Sequence, residues 1–191
     1  MTQSNFDIIL YGGPGAGKGT QAKALVGRLD AAYLEMGGQI REFIKGESEE
    51  ARQARAIVER GKLVPLFITK AITNDFLNGV PHHKRIVFDG YPRSMEQAQN
   101  LEELLKEHNR SVTMIYIEIP DDVSVERLAK RAEVEHRVDD LDREAVRNRL
   151  EVFHDEAKDL LLHYDQQNRL FTVNGNQSKE EVADNIAKLV E

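Results

Sequence analysis

A glycine-rich stretch near the start of the chain constrains its fold more than any other feature: Leu10-Tyr11-Gly12-Gly13-Pro14-Gly15-Ala16-Gly17-Lys18-Gly19-Thr20-Gln21. The apolar run Phe6–Tyr11 precedes it and indicates a buried strand, and the helix-forming run Gln21–Leu29 follows it. Glycines add almost nothing to packing, but they tolerate positive φ and let backbone N–H groups converge on an anion. A strand, this loop and a helix in succession predict a phosphate site at the start of the helix. The alternative is a glycine-rich turn that carries a lysine by chance.

The predicted phosphate contacts are six consecutive residues, Gly15, Ala16, Gly17, Lys18, Gly19 and Thr20. Lys18 is expected to reach the outer phosphates of a nucleotide, and the Thr20 hydroxyl to help hold Mg²⁺. The P-loop pattern G-x-x-x-x-G-K-[ST] fails by one residue, because Gly19 stands where Ser or Thr is usual. The loop is therefore a variant of that pattern.

Composition excludes several classes of protein. The 191 residues, 40% hydrophobic and 31% charged, suggest one globular domain with a substantial core. A net charge of −7 argues against a broad nucleic-acid surface. No long apolar run and no signal-peptide pattern is present, so we expect no membrane association. The lack of cysteine excludes disulfides and thiolate metal sites, and fits a cytoplasmic location.

Alternation of strand-like and helical runs predicts an α/β fold with a parallel sheet covered on both faces. The strand-like runs are Phe6–Tyr11, Ala31–Leu34, Arg85–Phe88, Val112–Ile119 and Leu170–Val173. Three short helices are expected after the second strand, over Gln39–Gly46, Glu49–Arg60 and Pro65–Leu77, and they suggest an inserted helical flap. Later helices are expected near Asp142–Tyr164 and Lys179–Val190, the last with Ser178 as N-cap and Glu181 as its capping-box partner.

The third strand ends in Asp89-Gly90-Tyr91-Pro92-Arg93, at the edge where open α/β sheets bind ligands. Asp89 is suited to hold Mg²⁺ through water, because Mg²⁺ keeps several waters and uses few protein carboxylates. Arg93 is suited to a bidentate contact with a phosphate. Taken alone, the segment would read as an Asp-Gly turn followed by a surface arginine.

Further arginines occur on two predicted helices that bracket a short polar loop. Arg127 and Arg131 are spaced to share a helix face, Arg137 lies in the loop, and Arg149 is on the long helix. Each is individually typical of a solvated surface residue. Together, downstream of a P-loop, they suggest a clamp that closes on phosphates, as phosphoryl transfer requires. The histidines show no metal-ligand spacing.

In these motifs, in order from about Phe6 to Leu189, the chain resembles the adenylate kinases. The matching segments are the phosphate loop Gly12–Gln21, Gly61-Lys62-Leu63-Val64-Pro65, Asp89–Arg93 with Gln97-Ala98, and Arg127, Arg131 and Arg137-Val138-Asp139-Asp140. The resemblance implies a five-stranded parallel sheet of the P-loop NTPase type. It also implies a single kinase domain over 1–191, with a monophosphate-binding flap at 35–64. Only five residues separate Arg131 from Arg137, so it implies a short lid, at 131–141, and no zinc.

By the same resemblance, ATP would contact Gly15 to Thr20, Arg127, Arg131 and Gln177. The acceptor AMP would contact Met36, Arg41, Lys62, Leu63, Val64, Gly90, Tyr91, Pro92, Arg93, Gln97, Arg137 and Arg149. Lys18, Arg93, Arg131, Arg137 and Arg149 would be catalytic, and Thr20 and Asp89 would hold Mg²⁺. The implied protein is a cytoplasmic monomer that converts ATP and AMP to two ADP.

One segment departs from the family's usual Ser-Thr-Gly-Asp. The chain has Glu35-Met36-Gly37-Gly38 there, although Arg41 keeps its place, and Leu66 replaces an expected Asp. These changes leave two further readings open: a UMP/CMP kinase or another small-acceptor P-loop kinase, and a nucleotide-binding module that has lost turnover.

Overall fold

Five parallel strands form one sheet in the order β2-β3-β1-β4-β5 in the computed structural model, which describes residues 6–60, 62–135 and 143–190. The strands are β1 Asp7–Tyr11, β2 Ala32–Glu35, β3 Ile86–Asp89, β4 Val112–Glu118 and β5 Leu170–Asn174. Each begins and ends within one residue of the run that predicted it. The prediction of a five-stranded parallel α/β fold is confirmed.

Helices connect successive strands. They are α1 Lys18–Leu29, α2 Met36–Phe43, α3 Glu49–Glu59, α4 Leu66–Gly79, α5 Met95–Glu107, α6 Asp121–Glu135, α7 Arg143–Asp165 and α8 Lys179–Val190. The predicted capping box of α8 is confirmed, because the Glu181 N–H donates to Ser178 Oγ and the Ser178 N–H donates to Glu181 Oε2.

The predicted start of α2 was wrong. The sequence predicted a helix over Gln39–Gly46. In the structure α2 begins at Met36, directly after β2, and Glu35 is its N-cap residue. The helix therefore starts at the sheet edge itself, and this places Arg41 close to the end of β2.

Two cores cover the two faces of the sheet. Alternate residues of β1 point to opposite faces, so Ile9 joins a core with Leu101 and Leu160, and Ile8 joins one with Leu25 and Ile186. All of these side chains are essentially buried. Burial on both faces explains why the inner strands β1 and β3 are continuous apolar runs, whereas the edge strands β2 and β5 are partly exposed.

Helices α2, α3 and α4 share a smaller core of their own. Ala54, Val64 and Ile68 are its buried residues, and partly buried side chains such as Phe43 and Val58 pack against them. Ile40 and Ile72 pack against both this small core and the large core, so the helices between β2 and β3 are also packed on the sheet. That 35–64 moves as a flap stays a prediction.

Candidate active site

The glycine-rich loop between β1 and α1 is held against the start of α6. Ser124 Oγ donates a hydrogen bond to the Pro14 carbonyl, and a Cβ at Gly15 would lie 2.8 Å from the Ser124 carbonyl oxygen. Gly15 also has φ +78°, and Gly17, the N-cap of α1, has φ +89°. Both angles lie in the region that favours glycine. The loop ends at the amino end of α1, where the helix dipole favours an anion.

Lys18 folds back over this loop. Its Nζ donates to the carbonyl oxygens of Gly12, at 2.7 Å, and Gly13, at 2.8 Å. Burial lowers the pKa of Lys18 to about 7; Asp89 opposes this shift, and the positive charges of Arg93, Arg149 and Arg131 add to it. An anion placed among these cations would restore the protonated lysine.

Asp89 ends β3 beside the loop and is almost completely buried. Its Oδ2 accepts a hydrogen bond from Tyr33 Oη at 2.9 Å, and the same atom would lie 3.3 Å from a Cβ at Gly19. Glycine at position 19 therefore lets the loop approach the carboxylate closely. The exposed Thr20 follows at the start of α1. A carboxylate held by a hydrogen bond and a nearby exposed hydroxyl fit Mg²⁺, which completes its octahedron with water and phosphate oxygens.

Cationic side chains from separate elements converge on this point. Arg93 follows β3, Arg131 lies on α6 and Arg149 on α7, and all three lower the pKa of Lys18. Arg93 is exposed to water in part. The protein around it nevertheless lowers the pKa of its guanidinium, first through burial and then through the charge of Arg149. Such a concentration of positive charge in a protein of net charge −7 is suited to a polyphosphate.

The segment after β3 is rigid at its base. Tyr91 and Pro92 are buried, and Gly90 has φ +73°. Arg93 Nε donates to the Gly90 carbonyl at 2.9 Å, and the Arg93 N–H donates to Gln97 Oε1 at 2.9 Å. The amide oxygen of Gln97 thus supports the Arg93 backbone, a role that the sequence did not suggest.

A surface cleft of about 560 Å³ lies beside the loop that follows β5. Glu118, Ile119, Pro120, Asn174 and Asn176 line it. Arg127 Nη2 donates to the Gly175 carbonyl at 3.0 Å, which places this predicted ATP contact at the cleft. The Gln177 amide oxygen accepts from Asn185 Nδ2 at 3.1 Å and so ties the loop to α8.

Several predicted acceptor contacts lie in the segment from the end of β2 to the start of α4. Met36 is 1% exposed and belongs to the large core, so its thioether offers no surface to a ligand in this conformation. Arg41 is exposed and pairs with Glu35 at 2.6 Å. Lys62 is exposed, Leu63 is half-buried and Val64 is buried, all between α3 and α4. The AMP contacts assigned to these residues stay predictions.

Two predictions concern residues that the structure does not describe. Arg137 and most of the predicted lid, 131–141, lie outside the described residues. Among those that are described, no three or more His, Cys, Asp and Glu side chains gather in a way that could hold a metal ion.

Three residues at the site were missed by sequence reasoning. Tyr33 supports Asp89, Ser124 closes the phosphate loop, and Glu35 pairs with Arg41. Tyr33 and Ser124 act across long-range contacts, so their own stretches of sequence carry no signal, whereas Glu35 lies only six residues before Arg41. The pairing of β2 with β3, with Glu35 opposite Asp89, brings Tyr33 and Glu35 to the site.

A P-loop that follows the central strand, a carboxylate at the end of the neighbouring strand and convergent arginines define a P-loop phosphotransferase. The family model for adenylate kinase matches residues 10–169. The chain belongs to the adenylate kinase family.

Curated relatives named adenylate kinase match almost the whole length of the chain. The adenylate kinase of Flavobacterium johnsoniae is 34% identical over 97% of this chain and 98% of its own. That of Maricaulis maris is 36% identical over 97% and 98%, and that of a Cyanothece species is 36% identical over 96% and 94%. The predicted family and the predicted class, a nucleoside monophosphate kinase, are confirmed. Within the described residues, every helix is too short or too polar to cross a membrane.

Proposed function

We propose that this chain transfers the γ-phosphoryl group of ATP reversibly to AMP, with Mg²⁺, giving two ADP. The observation that carries the proposal is the convergence of Lys18, Arg93, Arg131 and Arg149 on the phosphate loop beside Asp89. Phosphoryl transfer needs positioning and charge neutralisation more than covalent chemistry, and this arrangement supplies both. The further proposal of a cytoplasmic location is supported by the lack of cysteine, and the proposal of a monomer rests on the resemblance to the adenylate kinases.

The donor is proposed to lie along the loop that ends in α1. Gly15 to Thr20 would receive the phosphates, and Arg127 and the cleft beside Asn174 and Asn176 would receive the base. Lys18 already donates to loop carbonyls, so its charge is held where the outer phosphates would arrive. Arg131 lies near enough to add a second charge on this side.

The acceptor is proposed to lie beside β3 and α2. Arg93 is fixed at its base by Gly90 and Gln97 and is electrostatically close to both Arg149 and Arg41. These arginines are placed to orient the acceptor phosphate for in-line attack and to spread the charge of the transferring group. Arg137, the 35–64 flap and the 131–141 lid are proposed to complete the enclosure and exclude water.

Asp89 and Thr20 are the residues proposed to hold Mg²⁺, Asp89 through water. Mg²⁺ would neutralise phosphate charge and orient the phosphates. Tyr33 fixes the carboxylate by its hydrogen bond, so the ion would meet an oriented ligand.

A monophosphate panel tests the proposal. The protein is incubated with MgATP and, separately, AMP, dAMP, CMP, UMP and GMP, and ADP formation is followed. We expect the highest kcat/KM with AMP. A preference for UMP or CMP would show a different acceptor, and binding of nucleotides without transfer to any monophosphate would show a module without turnover.

Two arginines on α7 give a matched test of the clamp. Arg149→Ala is expected to lower kcat/KM by about 100-fold or more, because it removes a charge beside the transferring phosphoryl group. Arg147→Ala is the control, since Arg147 is highly exposed and pairs with Glu151 on the same helix. If Arg149→Ala, or Arg93→Ala, were as active as the control, the clamp would be wrong.

A further inference from the structure

An ion pair occupies one side of the proposed acceptor site. Arg41 Nη2 lies 2.6 Å from Glu35 Oε1, and the side chains are 45% and 39% exposed. Glu35 is the last residue of β2, opposite Asp89 of β3, so the pair stands at the same sheet edge as the phosphate loop. Arg41 also lies close enough to lower the pKa of Arg93, which links it to the cationic cluster.

The neighbouring glycines leave room for this pair. A Cβ at Gly38 would lie 3.0 Å from Glu35 Oε2 and 3.2 Å from Glu35 Cδ, and one at Gly37 would lie 3.2 Å from Arg41 Nη1. Neither glycine has a positive φ angle, so the backbone does not require glycine at either position. Glycine weakens a helix, and α2 nevertheless carries two in its first turn. The space that a side chain at 38 would take is filled by the Glu35 carboxylate.

We propose that Glu35 competes with the acceptor phosphate for Arg41 and thereby sets the affinity for the monophosphate. This inference rests on the proposed function, in which Arg41 contacts the acceptor phosphate. An exposed ion pair is weak, so a phosphate dianion can displace the carboxylate. The displaced carboxylate stays near the phosphate and repels it. Glu35 therefore lowers affinity for the phosphate group, whichever base is attached to it.

Glu35→Gln removes the charge and keeps the shape. We expect Kd and KM for AMP to fall about three- to tenfold, with kcat within about twofold of the wild type. The same factor is expected for CMP, UMP and GMP, and none for adenosine, because the effect acts on the phosphate. Glu35→Ala, which also removes the hydrogen-bond acceptor, should change affinity in the same direction.

Glu42→Gln is the matched control. Glu42 lies on α2 next to Arg41 and carries the same charge as Glu35, but it pairs with Lys45 at 2.7 Å. This variant should leave Kd for AMP within about twofold of the wild type, because Glu42 is highly exposed and its charge is screened by solvent and by Lys45.

Isothermal titration gives Kd without turnover, so it separates this inference from the proposed function. If AMP bound more tightly to Glu35→Gln but no variant formed ADP, the competition would stand and the proposed function would fail. An unchanged or higher Kd in Glu35→Gln or Glu35→Ala would overturn the inference and indicate that Glu35 positions Arg41. Tighter adenosine binding would also overturn it, because Glu35 would then act on the nucleoside. No detectable binding of AMP by the wild type or by Glu35→Gln would overturn both proposals.

Discussion

Nucleotide binding should be accompanied by proton uptake at Lys18. The pKa of this lysine is lowered to about 7 in the free protein, first by burial and then by Arg93, Arg149 and Arg131, against the opposing effect of Asp89. A bound triphosphate places several negative charges beside the ammonium group, which raises the pKa again. The protonated state is therefore more populated in the complex than in the free protein at any pH above about 7.

The size of the uptake follows from the pKa. A lysine of pKa about 7 is about one-tenth protonated at pH 8 and half protonated at pH 7, whereas the bound lysine is fully protonated at both. Binding of MgATP should then take up about 0.9 proton at pH 8 and about 0.5 at pH 7. The sign is uptake, and its magnitude grows with pH over this interval.

Calorimetry measures the number of protons directly. MgATP is titrated without an acceptor in buffers of different ionisation enthalpy, and the slope of the observed enthalpy against that quantity is the uptake. Lys18→Arg is the control, because an arginine keeps its proton at pH 8 and removes the linkage while keeping the charge. An uptake below about 0.3 at pH 8, or an equal uptake in Lys18→Arg, would refute the assignment of the titrating group.

Three other predictions test the support of the site and the fold. Tyr33→Phe removes the hydrogen bond to Asp89, so the half-saturating Mg²⁺ concentration in the kinase assay should rise about three- to tenfold with little change in Tm. Gly27→Ala, at an exposed α1 position with open space around it in the described part of the chain, should raise the free energy of unfolding in urea by about 0.5 kcal/mol. Arg110→Met leaves the buried Asp7 carboxylate without its partner and should lower that free energy by about 3 kcal/mol, and adding Asp7→Asn should restore part of it.

The sheet was predictable from the sequence because its signals are local. Each strand is a largely apolar run, and in β1 and β3 burial on both faces keeps the run continuous, as in Ile8-Ile9-Leu10. The phosphate loop was predictable for a similar reason, since its glycines and lysine are consecutive residues. The start of α2 was not predictable, because the tertiary position of Met36 in the core outweighs the low helix propensity of Gly37 and Gly38.

The supporting contacts of the site depend on which strands become neighbours. Tyr33 meets Asp89 only because β2 pairs with β3 in a register that sets Glu35 opposite Asp89. The two residues are 56 positions apart, and nothing near either one indicates the pairing. Ser124 reaches Pro14 across a still longer separation. Spacing along the chain can identify candidate charged residues for a site. Which residues hold those side chains in place depends on the order of the strands in the sheet.

Two glycines of the site share one physical explanation. At position 19 the usual hydroxyl residue is absent, and a Cβ there would lie 3.3 Å from Asp89 Oδ2. At position 38 a Cβ would lie 3.0 Å from Glu35 Oε2. In both places the carboxylate at the end of a strand, Asp89 of β3 or Glu35 of β2, lies close to where a Cβ would be. At each position the missing side chain is matched by a nearby carboxylate. Substitution of either glycine should therefore be tolerated better when that neighbouring carboxylate is shortened or removed. Gly19→Ala with Asp89→Ala, compared with each single variant by unfolding in urea, would show this as a coupling between the two positions, and strict additivity would refute it.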